Sequence, residues 1–105
     1  MSGISTHILD TSAGRPAAGI LVHLYRDNVE VSSARTNEDG RVPALLPGET
    51  PLVSGKYRIL FDVGARWSEA FYPEVSVTFW VQNPESNYHI PLLISPFGFT
   101  TYRGS

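Results

Sequence analysis

The sequence predicts an all-β fold, an antiparallel sandwich of two sheets, on three observations. Apolar and polar residues alternate with period two through one short segment after another. Turn chemistry separates those segments at regular intervals. Eight prolines are scattered along the chain, which argues against long helices.

The elements follow in order. In segment 4–9, Ile4, Thr6 and Ile8 share one face while Ser5, His7 and Leu9 take the other. Segments 20–26 and 29–36 flank Asp27-Asn28, a spacing suited to a tight hairpin. Tyr57, Ile59, Phe61 and Val63 form an apolar row against Arg58, Leu60 and Asp62. The one weak helical candidate is 65–70. In 75–81, Val75, Val77, Phe79 and Val81 oppose Ser76, Thr78 and Trp80. In 88–94, Tyr88, Ile90, Leu92 and Ile94 make an unbroken apolar face, with His89, Pro91 and Leu93 opposite. A last short strand is predicted near 100–103. Ala13-Gly14-Arg15-Pro16, Glu38-Asp39-Gly40, Pro47-Gly48, Asn83-Pro84 and Ser95-Pro96-Phe97-Gly98 supply the turns.

The 105 residues fit a single domain, 1–105, large enough for one core without staples. With no cysteine, disulfides and thiolate metal sites are excluded, which fits a reducing compartment. A net charge of −2 gives no electrostatic footprint for nucleic acid or an anionic membrane. The opening residues lack the basic segment and apolar run of a signal peptide, and nothing approaches a membrane span. The expectation is a soluble, cytoplasmic protein.

His7 and His89 both fall opposite their strands' apolar rows, among partly apolar companions, which suggests a second surface covered by a ligand or another subunit. A histidine on a strand's outer face is more often solvated than catalytic, so alternation alone leaves both readings open. His23, beside Leu21 and Tyr25, reads as structural or surface. The three histidines match no compact metal motif, so no metal is expected. Arg41 follows Asp39-Gly40; an exposed turn arginine is the usual case, but its planar paired donors also suit an anionic or carbonyl-rich heterocycle. Asp10, Asp27, Glu38, Asp39 and Glu49 lie in or near turns, where capping and solvation explain them. Neither a nucleophile elbow nor a phosphate-binding glycine loop is present. The last residues, Tyr102-Arg103-Gly104-Ser105, place a tyrosine, a cation and a hydroxyl side by side in a strand-like segment. A short edge strand accounts for them equally well.

Thr6-His7-Ile8-Leu9-Asp10-Thr11, then Gly14-Arg15-Pro16-Ala17, resembles the opening signature of the 5-hydroxyisourate hydrolases, the transthyretin-related proteins. Asp39-Gly40-Arg41 resembles their arginine site, and Phe71-Tyr72-Pro73-Glu74-Val75 a following strand entry. Tyr88-His89-Ile90-Pro91-Leu92-Leu93-Ile94-Ser95-Pro96 and Thr101-Tyr102-Arg103-Gly104-Ser105 resemble their closing signature. The resemblance covers essentially the whole chain, in order.

The resemblance implies a transthyretin-like sandwich of two four-stranded sheets, assembled as a homotetramer with sites at the dimer–dimer interface. The implied reaction is hydrolysis of the cyclic amide of 5-hydroxyisourate to 2-oxo-4-hydroxy-4-carboxy-5-ureidoimidazoline, in urate degradation, without metal or cofactor. His7, Arg41, His89 and Ser105 would be catalytic; His7, Arg41, His89, Tyr102 and Arg103 would bind substrate. Ser105 would act through its hydroxyl or the terminal carboxylate. The segment 62–71 looks shorter than the family's connection, which often carries a helix, and so leaves that helix open. Two other functions remain to be separated: a transthyretin-type hormone carrier using the same channel without chemistry, and a plain β-sandwich binding module working through exposed Trp67 or Trp80.

Overall fold

A computed structural model describes residues 3–105. Among the described residues, nine strands form two sheets around one core: β1 (Gly3–Asp10), β2 (Arg15–Pro16), β3 (Leu21–Arg26), β4 (Val29–Arg35), β5 (Arg41–Val42), β6 (Gly55–Phe61), β7 (Val75–Val81), β8 (Asn87–Ser95) and β9 (Gly98–Thr101). The second sheet has the order β4-β3-β6-β7. The first runs β2-β1-β8-β9, and β5 also pairs with β1. β2 meets Leu9 and Asp10 whereas β5 meets Thr6 and His7, so these two dipeptides share one edge of β1 and the sheet remains four lanes wide.

The alternation in the sequence sets the core. Ile4, Ile8, Tyr57, Ile59, Phe61, Leu92 and Ile94 are all buried, each from the row expected to face inward, and Leu24 joins them from β3. Tyr57 stacks on Phe79 with ring centroids 6.1 Å apart, and Phe79 tilts against Tyr88 at 6.4 Å. The hydroxyl of Tyr88 accepts from the Asn83 amide at 3.0 Å, which keeps this buried phenol satisfied. Truncating a residue such as Ile59 or Leu92 to alanine removes packing worth about 2–5 kcal/mol.

The Asp27-Asn28 hairpin forms as expected: both residues adopt positive φ, 52° and 65°, the geometry of a two-residue turn matched to strand twist. Three details differ from the expectation. β1 and β8 run parallel, while the other pairings among the described residues are antiparallel. The whole second sheet lies between them in sequence, ample length for the crossover that a parallel pair requires. The segment 65–70 is a pair of turns, not a helix, closed by Arg66 N to Val63 O at 3.1 Å and Ala70 N to Trp67 O at 3.4 Å. Six residues are too few to nucleate a helix unaided. Finally, the last strand begins directly after the Pro96-Phe97 turn, where Ser95 pairs with Gly98, and so occupies Gly98–Thr101. Tyr102 and Arg103 leave the ladder, which is rejoined by a single bridge between Gly104 and His89.

Asp10 also departs from the solvated turn residue expected of it. It is 2% exposed. Its carboxylate accepts from the Ser12 amide at 2.9 Å, the Ser12 hydroxyl at 2.6 Å, the Ala13 amide at 3.1 Å and Arg66 Nε at 2.8 Å. Burial by itself would raise its pKa, but the Ser12, Arg66 and Ala13 donors outweigh that and hold it below the ordinary value of 3.8. Arg66 thereby fastens the 62–74 connection to the end of β1.

Candidate active site

The site is built on the outward face of the first sheet, on two neighbouring rungs. Antiparallel register sets His7 opposite Arg41, and parallel register sets His7 beside Pro91. Two residues along, Ser5 lies beside His89, and His89 is bridged in turn to Gly104. Partners in register project to the same face, so Arg41, His7, Ser5 and His89 share one patch. One strand spacing across and two residues along separate the His7 and His89 backbones by about 8 Å, within reach of a small heterocycle bound between them.

Local chemistry fixes each position. Arg41 reaches the His7 rung because residues 37–40 turn tightly: Gly40 N donates to Asn37 O at 2.9 Å, and the Asn37 side-chain oxygen accepts from the amides of Asp39 at 2.9 Å and Arg41 at 3.0 Å. Gly40 has φ of 72°, and its carbonyl accepts from Ile8 N at 2.7 Å. A Cβ at that position would lie 2.5 Å from the Ile8 carbonyl oxygen, so only glycine lets the turn dock on β1. Thr36, buried beneath the turn, accepts from Ile20 N at 2.9 Å and donates to Ala17 O at 2.7 Å, anchoring the segment from below.

His89 is the most constrained member. Its Nδ1 lies 2.8 Å from the Ser5 hydroxyl. Gly104 covers the ring from the other side: its amide donates to the His89 carbonyl at 2.8 Å, and a Cβ on Gly104 would fall 2.5 Å from His89 Cδ2. Burial, then the charge of Arg41, then His7, depress the His89 pKa below 6.5, against a smaller opposing effect of the Ser5 main chain. The imidazole is therefore neutral at neutral pH, with a cation beside it. A neutral imidazole, a guanidinium and a second imidazole on one face can take a proton from water and stabilise an oxyanion.

Arg41, His89, Ser5 and Ser105 line an open cleft of about 830 Å³, walled on one side by the loop that carries Pro43, Leu46 and Pro47. His7 lies one rung away and is close enough to affect His89 electrostatically. Tyr102 and Arg103 line a separate, smaller cleft of about 220 Å³ with Trp80 and Phe79, and His89 borders both. The Arg103 guanidinium sits 4.7 Å over the Tyr88 ring. Of the six candidates read from the sequence, Arg41, His89 and Ser105 thus share a cleft with His7 adjacent, whereas Tyr102 and Arg103 face elsewhere in the single chain. Ser5, Asn37 and Gly104 were not singled out; the clue available for Ser5 was its position on the same outward row as His7. His23 stands on the other sheet, part-buried, its Nδ1 3.2 Å from Glu30, in keeping with a structural residue. Among the described residues, no three His, Cys, Asp or Glu side chains gather as a metal site would require.

Comparisons with known proteins agree on one family. The family model described as HIUase/Transthyretin matches residues 4–104. The 5-hydroxyisourate hydrolase of Mus musculus is 40% identical over 114 aligned residues, spanning 99% of this chain and 96% of the mouse protein. A solved structure of Klebsiella pneumoniae 5-hydroxyisourate hydrolase superposes with a TM-score of 0.90 at 37% identity, covering both chains completely. Sea bream transthyretin in complex with thyroxine has the same fold, with a TM-score of 0.85 at 26% identity over 96% of this chain and 93% of that one. Matched along nearly its whole length in sequence and in fold, the chain belongs to the HIUase/Transthyretin family.

Proposed function

We propose that this protein is a hydrolase that opens the cyclic amide of 5-hydroxyisourate. The observation that carries the reading is the placement of His89, Arg41 and His7 on one outward face, where His89 and Arg41 line a cleft wide enough for a small heterocycle and His7 stands on the adjacent rung. The relatives named 5-hydroxyisourate hydrolase are more similar to this chain than the thyroxine-bound transthyretin is. A carrier needs an apolar cavity; it has no use for a proton-accepting imidazole held beside a guanidinium.

In the reaction, water adds to the amide carbon, the C–N bond breaks, and the ring nitrogen leaves with a proton. His89 accepts the water proton as attack proceeds. Arg41 binds the carbonyl edge and stabilises the tetrahedral oxyanion. His7, on the neighbouring rung, orients the substrate and delivers the proton to the departing nitrogen. Ser105, which lines the cleft, orients the water through its hydroxyl or its carboxylate. The oxyanion collapses as the C–N bond breaks, and the cycle closes when the proton held by His89 returns to His7 through solvent, so each turnover consumes one water and no net proton from the protein.

The outward face of the first sheet is open in the single chain, and a second copy set against it would close the cleft. A homotetramer with sites at the dimer–dimer junction is part of this reading, as are contributions from Tyr102 and Arg103 in the assembled form and a cytoplasmic location. The direct test follows the absorbance decay of 5-hydroxyisourate generated freshly by urate oxidase. The protein should accelerate the decay, and His7→Ala, Arg41→Ala and His89→Ala should each lower kcat/KM by about 10²–10⁴-fold. Unaccelerated decay, or full activity in the three folded variants, would overturn the proposal.

A further inference from the structure

We infer that Ser5 is the positioning residue for His89: it holds the proton on Nδ1, so that the Nε2 lone pair is the one presented to substrate. The inference rests on the hydrolase reading, and it assigns the base within it.

Ser5 and His89 are register partners in an unbroken parallel ladder from Gly3 to Asp10, so their side chains are held on one face of the sheet. The Ser5 hydroxyl lies 2.8 Å from Nδ1, which makes Nδ1 the ring nitrogen engaged by the protein. A hydroxyl both donates and accepts, so this contact by itself allows either tautomer. The base role of His89 breaks the tie: with Nδ1 engaged by Ser5, Nε2 is the nitrogen left to take the water proton, so Nδ1 must carry the hydrogen and donate it to the Ser5 oxygen. Gly104 lies so close to the ring that an added Cβ would meet Cδ2 at 2.5 Å and Cγ at 3.2 Å, which leaves the ring little room to turn over and exchange its nitrogens. Burial and the charge of Arg41 oppose a second proton on the ring. A hydroxyl on Nδ1 and an unengaged Nε2 give the polarity of a general base.

The test uses the full chain. Long-range ¹H–¹⁵N NMR of wild-type protein, above the titration of His89, should show the His89 proton on Nδ1; a predominant Nε2–H form would overturn the inference without any activity measurement. In steady-state hydrolysis, Ser5→Ala should lower kcat about tenfold with KM little changed, and Ser5→Thr, which keeps the hydroxyl, should restore most of it. Unchanged kcat in Ser5→Ala contradicts the inference. So does a raised KM at constant kcat, which would make Ser5 a substrate contact instead. If Ser5→Ala does not fold, the wild-type tautomer and the Ser5→Thr kinetics still decide. An inactive wild type would sink the hydrolase reading, whereas an active wild type with the wrong tautomer would sink only this inference.

Discussion

His89 is half-buried beside a guanidinium, and both circumstances disfavour its protonated form. If the neutral ring is the working base, the acid limb of kcat/KM should have its midpoint below 6.5, not at the ordinary histidine value. Replacing Arg41 with alanine removes the largest cause after burial, so NMR titration should show the His89 pKa moving up toward 6.5 in that variant; a downward or absent shift would detach Arg41 from the base. The sign for stability follows too. The unfolded chain binds this proton more readily than the folded one, so stability declines as pH falls through 6.5 toward the folded value. Gly104 offers a second check. Gly104→Ala drives a methyl into Cδ2 of His89, and it should reduce kcat/KM about a hundredfold by misplacing the ring, with circular dichroism unchanged. The outward placement of His7 and His89 was legible from alternation, because the strand period fixes which face a residue takes. The contact with Ser5 was not, because it depends on the register of β1 against β8, strands more than seventy residues apart in the chain, and no local pattern encodes that register.

Two short connections do most of the positioning among the elements. The 37–40 turn docks on β1 through a glycine that no other residue replaces without strain. Gly40→Ala should cost more than about 1 kcal/mol, lowering Tm by at least roughly 5 °C, and should weaken catalysis along with stability because Arg41 moves with the turn. Activity retained at wild-type level would separate the turn from the site. The 62–74 connection is tied instead by Asp10 and Arg66. Asp10→Asn should destabilise the fold by about 3 kcal/mol at neutral pH, read by urea denaturation, since it leaves the guanidinium without its buried counter-charge. Asp10 is held below 3.8 in the folded chain, so its stabilisation is fully present above that value and lost as pH falls through the depressed one. Wild type and variant should therefore converge in stability in strong acid. Asp10 read from the sequence as a turn cap, and it is one; its ion pair was hidden because Arg66 arrives from a segment whose path is set by packing, not by periodicity. The same non-local packing explains why a six-residue helical pattern at 65–70 resolves into turns.

At the scale of the whole molecule, the two-sheet architecture and its core were legible from period-two patterning alone, and the strand pairing was not. Alternation says which side of a strand is buried and is silent about which neighbour it meets, so the parallel β1–β8 pair was expected to be antiparallel. The cleft is open on the side away from the core, which leaves Tyr102 and Arg103 facing a second, smaller recess. Closure by another copy of the chain predicts a tetramer of about four times 11.6 kDa in light scattering, and catalytic activity that falls on dilution as the assembly dissociates. A monomer with full activity would show that one chain completes the site. The central claim is that His7, Arg41 and His89 together open the ring of 5-hydroxyisourate, and single-turnover hydrolysis with wild type and His89→Ala tests it most directly. The account predicts rapid, stoichiometric loss of the substrate absorbance with wild type and a rate reduced at least about a hundredfold in the folded variant; equal rates for the two proteins, or no acceleration by either, would contradict it.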